Sequence, residues 1–360
     1  MTSRLTSVVV LAYGDEPYLT DCVGRVLADD RSGPIEVIVI DNGSPAVEDL
    51  APDPRLRVIT PEHNLGYAAG CNLGAAHSVG TDLVFLNSDA LVQPGAVRSL
   101  VAVLTDPTVG IATGGVRLAD APELMNSVGN PVHYLGVVWA GGYGEPAAAH
   151  LQPTDVASAS GAFFAVRRAV WQSLDGFDEQ YFAYHEDAEL SLRTWQRGLR
   201  VRFVPDAVVL HHYEFSRNPN KQYLLERNRW ITVLTVYPTP VLACVLPAMI
   251  AFDLALCAVA AAQGWLPAKL KAWRWLLTHR RDVVRRRRAV QAAATISPGA
   301  FMSLLVARIE PPILERPTGL GLLNRLLAGY WGLARHLLPS TASLLTANST
   351  STQEAGDGWR

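Results

Sequence analysis

The sequence is poor in cysteine and lysine, and each shortage limits what the protein can be. It has four cysteines in 360 residues, and none of them forms a CxxC pair. Two of them, Cys244 and Cys257, lie in apolar runs. This usage argues against a disulfide framework and favours a reducing compartment.

Two common phosphate-binding motifs are also missing. No GxxxxGK[ST] sequence is present, which excludes phosphate binding by a P-loop. No GxGxxG follows the first apolar run, which disfavours a dinucleotide-binding fold. The opening run, MTSRLTSVVVLAY, is too short and too quickly interrupted for a signal peptide, so we expect the catalytic part in the cytoplasm.

Charge is distributed unevenly along the chain. Residues 1–262 carry 17 basic and 28 acidic residues, whereas residues 263–336 carry 13 basic and 3 acidic ones. Arginine supplies nearly all the positive charge, since the chain has only three lysines. The asymmetry predicts an acidic globular domain followed by a basic element for an anionic partner. We expect that partner to be a membrane surface, on its cytoplasmic face, and not a nucleic acid.

Apolar runs predict an α/β fold for the first two-thirds of the chain. Ser7–Ala12 and Ile35–Ile40 are β-branched runs separated by helical spacing within Glu16–Ala28, which is typical of a βαβ unit. Later elements continue the alternation of strands and helices, so we expect a mostly parallel sheet flanked by helices. Further strands are predicted at Arg57–Thr60, Asp82–Leu86, Val109–Gly114, Ser160–Val166, Val201–Val204 and Ala207–Leu210, and helices in the second half of 63–74 and within 97–104, 169–174 and 184–198. Residues 115–155 are predicted to form an irregular segment, and we expect it to contain the binding site of an acceptor substrate.

The last third of the chain has a different character. Ile231–Ala262 is almost wholly apolar, with Asp253 as its only charge. A bilayer-spanning or re-entrant helix, an in-plane amphipathic helix and a soluble pair of core helices all remain open. A charge at the bilayer centre costs roughly 2.5–3.5 kcal/mol, which counts against the first. We expect a catalytic domain at 1–230, a membrane-associated helical region at 231–295, and a helix with a disordered tail at 296–360.

The region from Gln263 to Ala289 combines tryptophan with arginine. It contains Trp265, Trp273, Trp275 and the run Arg285–Arg288. Tryptophan beside arginine suits a membrane headgroup interface. A solvated, charged helix is the alternative.

Polar side chains follow several predicted strands. Asp41 follows one strand, Asn87 and Asp89 follow another, and His211 and His212 follow the last. Ligands of open α/β sheets bind at such strand ends. Asp89 is therefore either a metal ligand or a turn residue ahead of Pro94 and Gly95.

These parts suit displacement at an activated sugar carbon with a nucleoside diphosphate as leaving group. Mg²⁺ or Mn²⁺ held by a carboxylate neutralises the leaving diphosphate. A general base on the opposite side of the sugar activates the acceptor hydroxyl. Asp89 and Asp187 supply these two separate carboxylates.

Six motifs, in order, resemble the family 2 glycosyltransferases with the GT-A fold, most closely bacterial rhamnosyltransferase-like and galactofuranosyltransferase-like members. The resemblance covers roughly residues 5–235. It rests on SVVVLAYG, VIVIDNGS, NLGYAAGCNLG, FLNSDALVQPG, GAFFAVRR with LDGFDEQYFAYHEDAELSLR, and LHHYEFSR with YLLERNR.

The resemblance implies roles for particular residues. Asp89 would bind a divalent metal, Mg²⁺ or Mn²⁺, with His211 preferred over His212 to complete the shell. Asn87 departs from the family, which often has an aspartate there, so the corner has a single carboxylate. Nucleotide-sugar contacts are expected from Ala12, Tyr13, Asp41, Asn42, Asn64, Gly66, Asn72, Asn87 and Ser88.

Asp187 matches the family's catalytic base, and Glu186 is the substitute. A carboxylate at a helix N-terminus is stabilised as the anion, so a useful base requires burial or neighbouring Glu186 and Glu189 to raise its pKa. A solvated acidic cluster is the alternative interpretation. Trp171, Asp178 and His185 are expected to border the acceptor site.

The sequence thus predicts an inverting, metal-dependent glycosyltransferase. The expected donor is dTDP-rhamnose or another dTDP- or UDP-sugar, and the expected acceptor is a polyprenyl-linked glycan or a polysaccharide. The oligomeric state is left open. Two rival hypotheses are a sugar-nucleotide nucleotidyltransferase and a catalytically silent, membrane-associated nucleotide-sugar-binding protein. The segment Tyr13–Pro17 is acidic, whereas nucleotidyltransferases usually carry a basic loop there.

Overall fold

A mixed ten-stranded sheet forms the core of the first two-thirds of the chain. The computed structural model describes residues 4–212, 220–310 and 320–338. The strands are β1 (Thr6–Ala12), β2 (Ile35–Asp41), β3 (Leu56–Ile59), β4 (Asp82–Asn87), β5 (Ala90–Val92), β6 (Val109–Leu118), β7 (Ala121–Ser127), β8 (Val132–His133), β9 (Thr154–Asp155), β10 (Phe163–Arg167), β11 (Arg200–His211) and β12 (Leu305–Val306). β8 and β12 form a separate two-stranded sheet.

The order of the strands explains why polar groups collect at one edge of the large sheet. β3, β2, β1 and β4 are parallel neighbours. β10 then enters antiparallel, between β4 and β6, and β11 lies parallel to β6. The residues just before β10 therefore lie beside the carboxyl end of β4. The α/β class and the mostly parallel sheet are confirmed.

Helices cover both faces of this sheet and form the last third of the chain. They are α1 (Leu19–Ala28), α2 (Gly66–His77), α3 (Ala96–Ala102), α4 (Arg168–Ser173), α5 (Glu186–Gln196), α6 (Lys221–Val236), α7 (Thr239–Ala262), α8 (Leu266–Thr278), α9 (Arg280–Ala292), α10 (Pro298–Met302) and α11 (Leu320–Leu337).

The small residues of α2 allow this helix to lie close to β1. A Cβ atom on Gly70 would stand 2.1 Å from Leu11 Cδ1, and one on Gly74 would stand 2.3 Å from Val9 Cγ1. Both distances are far inside van der Waals contact. The glycine-rich motif thus sets the distance between helix and sheet, and with it the position of the α2 N-terminus.

Two predictions about local structure need correction. Val201–Val204 and Ala207–Leu210 are parts of one strand, β11, whose pairing with β6 shifts register between Val204 and Val208 around Pro205. The 115–155 segment is less irregular than expected, because β6 continues to Leu118 and pairs with β7 in a hairpin. Its Gly- and Pro-rich composition concealed the strand pattern.

The apolar helix α7 is the one helix in the described ranges that is long and apolar enough to cross a membrane. Its buried side chains include Val241, Val245, Met249 and Asp253, which recur every four residues along one stripe. The rest of its surface is largely apolar and exposed, and only 22% of its most apolar 18-residue window is buried.

Asp253 faces the protein and is fully paired. It accepts hydrogen bonds from Arg229, from Trp230 Nε1 at 2.7 Å and from Trp273 Nε1 at 3.2 Å. Lys269 Nζ lies 3.2 Å away. Glu226 completes the network by accepting from Lys269 Nζ at 2.6 Å and from Arg229 at 3.1 Å. Two acids and two bases thus balance in a buried cluster that joins α6, α7 and α8.

The expected domain limits do not all fall between the elements of the structure. The expected boundary at residue 230 falls inside α6, and Ile231, Val233 and Val236 join the same core as Val9 and Phe85. The expected C-terminal helix is present as α11. The Ser/Thr-rich tail after residue 338 lies outside the described residues, so the three-part division stays a prediction.

The buried charge cluster gives the first prediction. Asp253→Asn should lower the free energy of unfolding by about 3–5 kcal/mol, because it leaves the buried Arg229 and Lys269 with one carboxylate between them. Chemical denaturation followed by circular dichroism measures this. Asp282→Asn, which breaks an exposed pair with Arg285, should cost less than about 1 kcal/mol. Equal effects would contradict a structural role for the cluster.

Candidate active site

The first part of the site is the corner where β4 ends. β5 pairs antiparallel with β11, with Ala90 opposite His211, and this pairing sets Asp89 beside the end of β11. His211 Nε2 lies 3.0 Å from Asp89 Oδ1 and 3.4 Å from Asn87 Nδ2. His212 turns away, and its ring stacks on Tyr18 at 3.6 Å between centroids. Of the two histidines, His211 is the one that faces Asp89.

The corner fits a hard divalent cation. Asp89 Oδ1 and His211 Nε2 lie 3.0 Å apart, close enough for one cation to contact both. A carboxylate oxygen and an imidazole nitrogen are both donors that Mn²⁺ accepts, and the oxygen suits Mg²⁺ as well. The described part of the chain holds no cluster of three or more His, Cys, Asp or Glu side chains suited to a metal. The remaining ligands would therefore be water and donor oxygens.

The second part of the site is the N-terminus of α5. Asp187 Oδ2 accepts from the Gly161 backbone N–H at 3.0 Å and from Asn130 Nδ2 at 3.4 Å. Asp187 Oδ1 accepts from the Ala188 N–H at 2.7 Å. These donors fix the direction in which the carboxylate points.

Gly161 and Ala162, the residues just before β10, join the two parts. The Asn87 N–H donates to the Ala162 carbonyl at 3.0 Å, while Gly161 binds Asp187. Tyr67 of α2 donates its hydroxyl to the Gly161 carbonyl at 2.6 Å. The Asn87–Asp89 corner and the N-terminus of α5 are thus neighbours across two residues of backbone.

Burial controls the chemistry of the acidic group on α5. Burial raises the pKa of Asp187, although its hydrogen bonds with Gly161, Ala188 and Asn130 act against the rise. Burial, and then the charge of Asp187, raises the pKa of Glu186 to about 8. Glu189 is buried and paired with Arg193 at 2.7 Å. The interpretation as a solvated acidic cluster is therefore wrong.

His185, predicted to border the acceptor site, is buried at the start of α5. Burial, followed by the nearby charge of Arg229, lowers its pKa to about 3, so the ring is neutral at physiological pH. Its backbone is unusual, with a φ of +71°. Phe182 and Tyr184 also have positive φ, at +62° and +71°.

Asn228 of α6 holds this strained loop, residues 181–185, in place; the loop is named the base loop because it leads to the predicted base, Asp187. Its buried amide Nδ2 donates to the carbonyls of Tyr181, Ala183 and Tyr184 at 2.7–2.9 Å. Arg227 adds hydrogen bonds to the carbonyls of Gln180 and Tyr181. The YLLERNR motif contains both residues, but nothing in its pattern indicates that they support the base loop.

The nucleotide side of the predicted site lies at the ends of β1 and β2. Asp41 accepts from the Gly43 and Ser44 N–H groups and from Thr60 Oγ1, so its carboxylate holds the turn that follows β2. Ala12 is buried and accepts from the Asn42 N–H. Tyr13 is 57% exposed beside them. Ser88, in the β4 corner, is buried.

Asn42 and Asn64 connect this edge to α2. Asn42 Nδ2 donates to Asn64 Oδ1 at 2.7 Å, and Asn42 Oδ1 accepts from the Leu65 N–H at 2.7 Å. Gly66 follows with a φ of +74°, and a Cβ atom there would stand 2.5 Å from both the ring and the carbonyl of Phe182. This contact sets the start of α2 directly against the base loop.

Three predicted residues lie elsewhere. Trp171 is 6% exposed, and its ring packs on Phe85 and Phe177 at 4.5 and 5.1 Å. This burial contradicts its predicted contact with an acceptor. Asn72 binds both the N–H and the carbonyl of Phe177, so its amide holds the 176–179 turn and not the strand ends. Asp178 caps the short 3₁₀ helix Glu179–Tyr181 that follows and pairs with Arg286 at 3.2 Å.

Sequence reasoning missed two asparagines. Asn126 and Asn130 contact His211 and Asp187, respectively. Both lie in the segment predicted to be irregular. Amide side chains in a Gly-rich stretch were the only available signal, and it did not indicate which partners they would meet.

The protein-family model of the glycosyltransferase-like family 2 matches residues 3–232, well over half of the chain. The chain belongs to the glycosyltransferase-like family 2. Its glycosyltransferase domain contains every side chain of the site described above.

The names of similar proteins agree with membership in this family. An O-antigen biosynthesis protein RfbC of Myxococcus xanthus is 29% identical over 64% of this chain but only 19% of its own length. An N-acetylglucosaminyl-diphospho-decaprenol L-rhamnosyltransferase of Mycobacterium tuberculosis is 29% identical over 58% of this chain and 76% of its own. An N-acetylglucosaminyltransferase of Mesorhizobium japonicum is 26% identical, and the chain spans about half (54%) of its length.

Solved structures show the same fold. GalNAc-T7, solved with UDP, GalNAc and Mn²⁺, matches with a TM-score of 0.53 at 17% identity, over 66% of this chain and 49% of its own. Residues 1–349 of Staphylococcus aureus TarS, solved with UDP-GlcNAc, match with a TM-score of 0.50 at 16% identity, over 92% and 90%. These likenesses confirm the expected GT-A architecture.

The contact between Gly66 and the base loop can be tested by adding one methyl group. Gly66→Ala should destabilise the protein more than Gly43→Ala does. Both residues have positive φ, which costs an alanine about 1–2 kcal/mol. Only at position 66 does the new Cβ meet another segment, which adds about 1–3 kcal/mol. An equal decrease in melting temperature for both variants would show that the base loop moves aside for the new methyl group without an energetic cost.

Proposed function

We propose that the protein is an inverting, metal-dependent glycosyltransferase that moves a sugar from a nucleoside diphosphate to an acceptor hydroxyl. The observation that carries the proposal is the bridge through Gly161 and Ala162 between Asp187 and the Asn87–Asp89 corner. Two carboxylates with different surroundings thus lie at neighbouring positions of one site. One is suited to a cation and the other to a proton.

In the proposed reaction, Asp187 removes the proton of the acceptor hydroxyl as its oxygen attacks the anomeric carbon. The bond from that carbon to the diphosphate oxygen breaks on the opposite side, which inverts the configuration. Asp89 and His211 would hold Mg²⁺ or Mn²⁺ at the corner. When bound, such a cation neutralises the charge that develops on the leaving diphosphate.

The choice of substrates rests on the relatives. The mycobacterial relative's name describes rhamnosyl transfer to a polyprenyl-linked acceptor, and RfbC is named for O-antigen biosynthesis. We therefore propose rhamnose from a dTDP-sugar as the donor and a lipid-linked or cell-envelope polysaccharide as the acceptor. A UDP-sugar is the second candidate, since other relatives are named N-acetylglucosaminyltransferases.

A lipid-linked acceptor requires the enzyme to work at a membrane, and the C-terminal helices offer a surface for this. α7 exposes Ile250, Leu254 and Val259. α11, which is tied to α7 by a hydrogen bond from Tyr330 to the Cys244 carbonyl, exposes five leucines. These are Leu322, Leu323, Leu326, Leu333 and Leu337.

α8 supports attraction to anionic lipids. Its exposed side chains include Leu270, Lys271, Arg274 and Leu277, which mix apolar and cationic groups on one helix. The pairing of Asp253 with Arg229 and Lys269 holds α7 along the catalytic domain. We therefore favour an in-plane position on the cytoplasmic face over a spanning helix.

The proposed base can be tested by pH-dependent kinetics. Asp187→Asn should lower kcat by about 100-fold or more with little change in the donor KM, whereas Glu186→Gln should cost less than about tenfold. A base acts only when deprotonated, so wild-type kcat should decline as pH falls through the raised pKa of Asp187. This acid limb should lie above the ordinary aspartate value of about 4.

A donor panel followed by mass spectrometry measures this turnover and separates the rival hypotheses. A nucleotidyltransferase would form sugar nucleotides from a sugar phosphate, and a silent binding protein would turn over no donor. If Glu186→Gln abolishes activity while Asp187→Asn retains it, the two roles are reversed.

Membrane binding can be tested with vesicles. Leu254→Glu combined with Leu326→Glu should weaken co-sedimentation with anionic phosphatidylglycerol vesicles by about tenfold or more, because two apolar side chains no longer enter the lipid. Val79→Glu, at a position on the catalytic part that is just as exposed (69%, against 64% for both leucines), is the matched control. If wild type, the double leucine variant and Val79→Glu bind the vesicles equally, the exposed face of α7 and α11 does not contact the membrane.

A further inference from the structure

A short segment after β7 contacts both ends of the site. Asn126 lies on β7 and Asn130 follows four residues later. Asn126 is 4% exposed, and Asn130 is half-buried. The sequence motifs assign no role to either residue.

Asn126 determines the tautomer of His211, and so which form of the ring nitrogen faces Asp89. Its Oδ1 lies 2.8 Å from His211 Nδ1. An amide oxygen can only accept, so Nδ1 carries the hydrogen and the lone pair of a neutral ring lies on Nε2. That atom is the one 3.0 Å from Asp89 Oδ1. Metal-binding histidines are commonly oriented in this way by a partner on the other ring nitrogen.

Asn130 orients Asp187 in a comparable way. Ser127 Oγ donates to Asn130 Oδ1 at 3.0 Å, which turns the amide nitrogen toward the site. Nδ2 then donates to the Ala159 carbonyl at 3.2 Å and to Asp187 Oδ2 at 3.4 Å. The Asn130 N–H is anchored on the Ser158 carbonyl at 2.7 Å.

We propose that residues 126–130 form one positioning element, in which Asn126 sets the metal ligand His211 and Asn130 sets the base Asp187. The proposal rests on the roles given to His211 and Asp187 in the proposed function. Neither asparagine is a catalytic residue, since each acts through another side chain.

Substitutions at Asn126 should change metal binding without any need for turnover. Asn126→Leu keeps the size but removes the acceptor, and should weaken Mn²⁺ binding by about 10–100-fold. Asn126→Asp keeps an acceptor for Nδ1–H and should retain wild-type affinity or better. Electron paramagnetic resonance of free Mn²⁺, titrated into each protein, measures this.

Substitution of Asn130 should have the complementary effect. Asn130→Ala should leave Mn²⁺ affinity within about twofold of wild type, because an outer residue tunes a metal through the ligand it contacts, and Asn130 contacts neither proposed ligand. It should lower kcat and move the acid limb of the kcat profile to higher pH, because the lost hydrogen bond had favoured the carboxylate. Glu186 and the Tyr67 hydroxyl are the titratable groups that face Asp187, and both remain in this variant.

Val128→Ala is the matched control, because it loosens the same segment without removing either amide. It should leave both the Mn²⁺ affinity and the acid limb unchanged. If it reproduces the effects of Asn126→Leu and Asn130→Ala, general loosening explains them and the proposal is overturned. Wild-type affinity in Asn126→Leu, or an unmoved acid limb in Asn130→Ala, would overturn it as well.

The outcome for the wild-type protein separates this inference from the proposed function. If wild type binds Mn²⁺ and Asp89→Ala does not, the metal corner stands and the asparagine variants decide the inference alone. If wild type does not bind Mn²⁺, the proposed metal site fails and the role of Asn126 fails with it.

Discussion

The site depends on one topological feature, the antiparallel entry of β10 between β4 and β6. In a wholly parallel sheet, the residues before a strand lie at the edge opposite the ligands. Because β10 runs the other way, Gly161 and Ala162 lie beside the carboxyl end of β4. There they bind Asn87 on one side and Asp187 on the other. The reversed strand is therefore what brings α5 near the Asn87–Asp89 corner.

Around that bridge, the chain uses buried polar contacts to fix groups that would otherwise be costly to bury. The acidic N-terminus of α5 is largely buried, which raises the pKa of both Glu186 and Asp187. The preceding loop adopts strained backbone angles, which Asn228 of α6 stabilises. The next residue on α6, Arg229, pairs with Asp253 of α7. One helix therefore connects the support of the base to the apolar surface that we propose meets the membrane.

The sequence predicted the regular parts of this structure well. β1, β2 and β4 are buried on both faces, so their apolar runs indicated strands directly. The pairing of Asp89 with a histidine followed from the family motifs, and the choice of His211 agrees with its place opposite Ala90. Local patterns were sufficient for these features because each depends on burial or on the end of a strand.

Local sequence patterns did not predict the contacts between segments that are distant along the chain. Asn126 meets a histidine 85 positions later, and Asp253 meets Lys269 and Arg229 on two other helices. In the sequence, Asp253 counted only as an energetic cost to a bilayer-spanning helix, because nothing in its own helix indicates a partner. Trp171 looked available to an acceptor, but the packing of Phe85 and Phe177 against its ring makes it part of the core. In each case, tertiary pairing decided the role of the residue.

The most direct test of the account is the location of Mn²⁺ in a crystal grown with a nucleoside diphosphate, found by anomalous scattering at the manganese edge. The account predicts one peak within bonding distance of Asp89 Oδ1 and His211 Nε2, with the diphosphate on that side and Asp187 free to face the acceptor. A peak elsewhere, or one bound by Asp187, would contradict the division of labour between the two carboxylates.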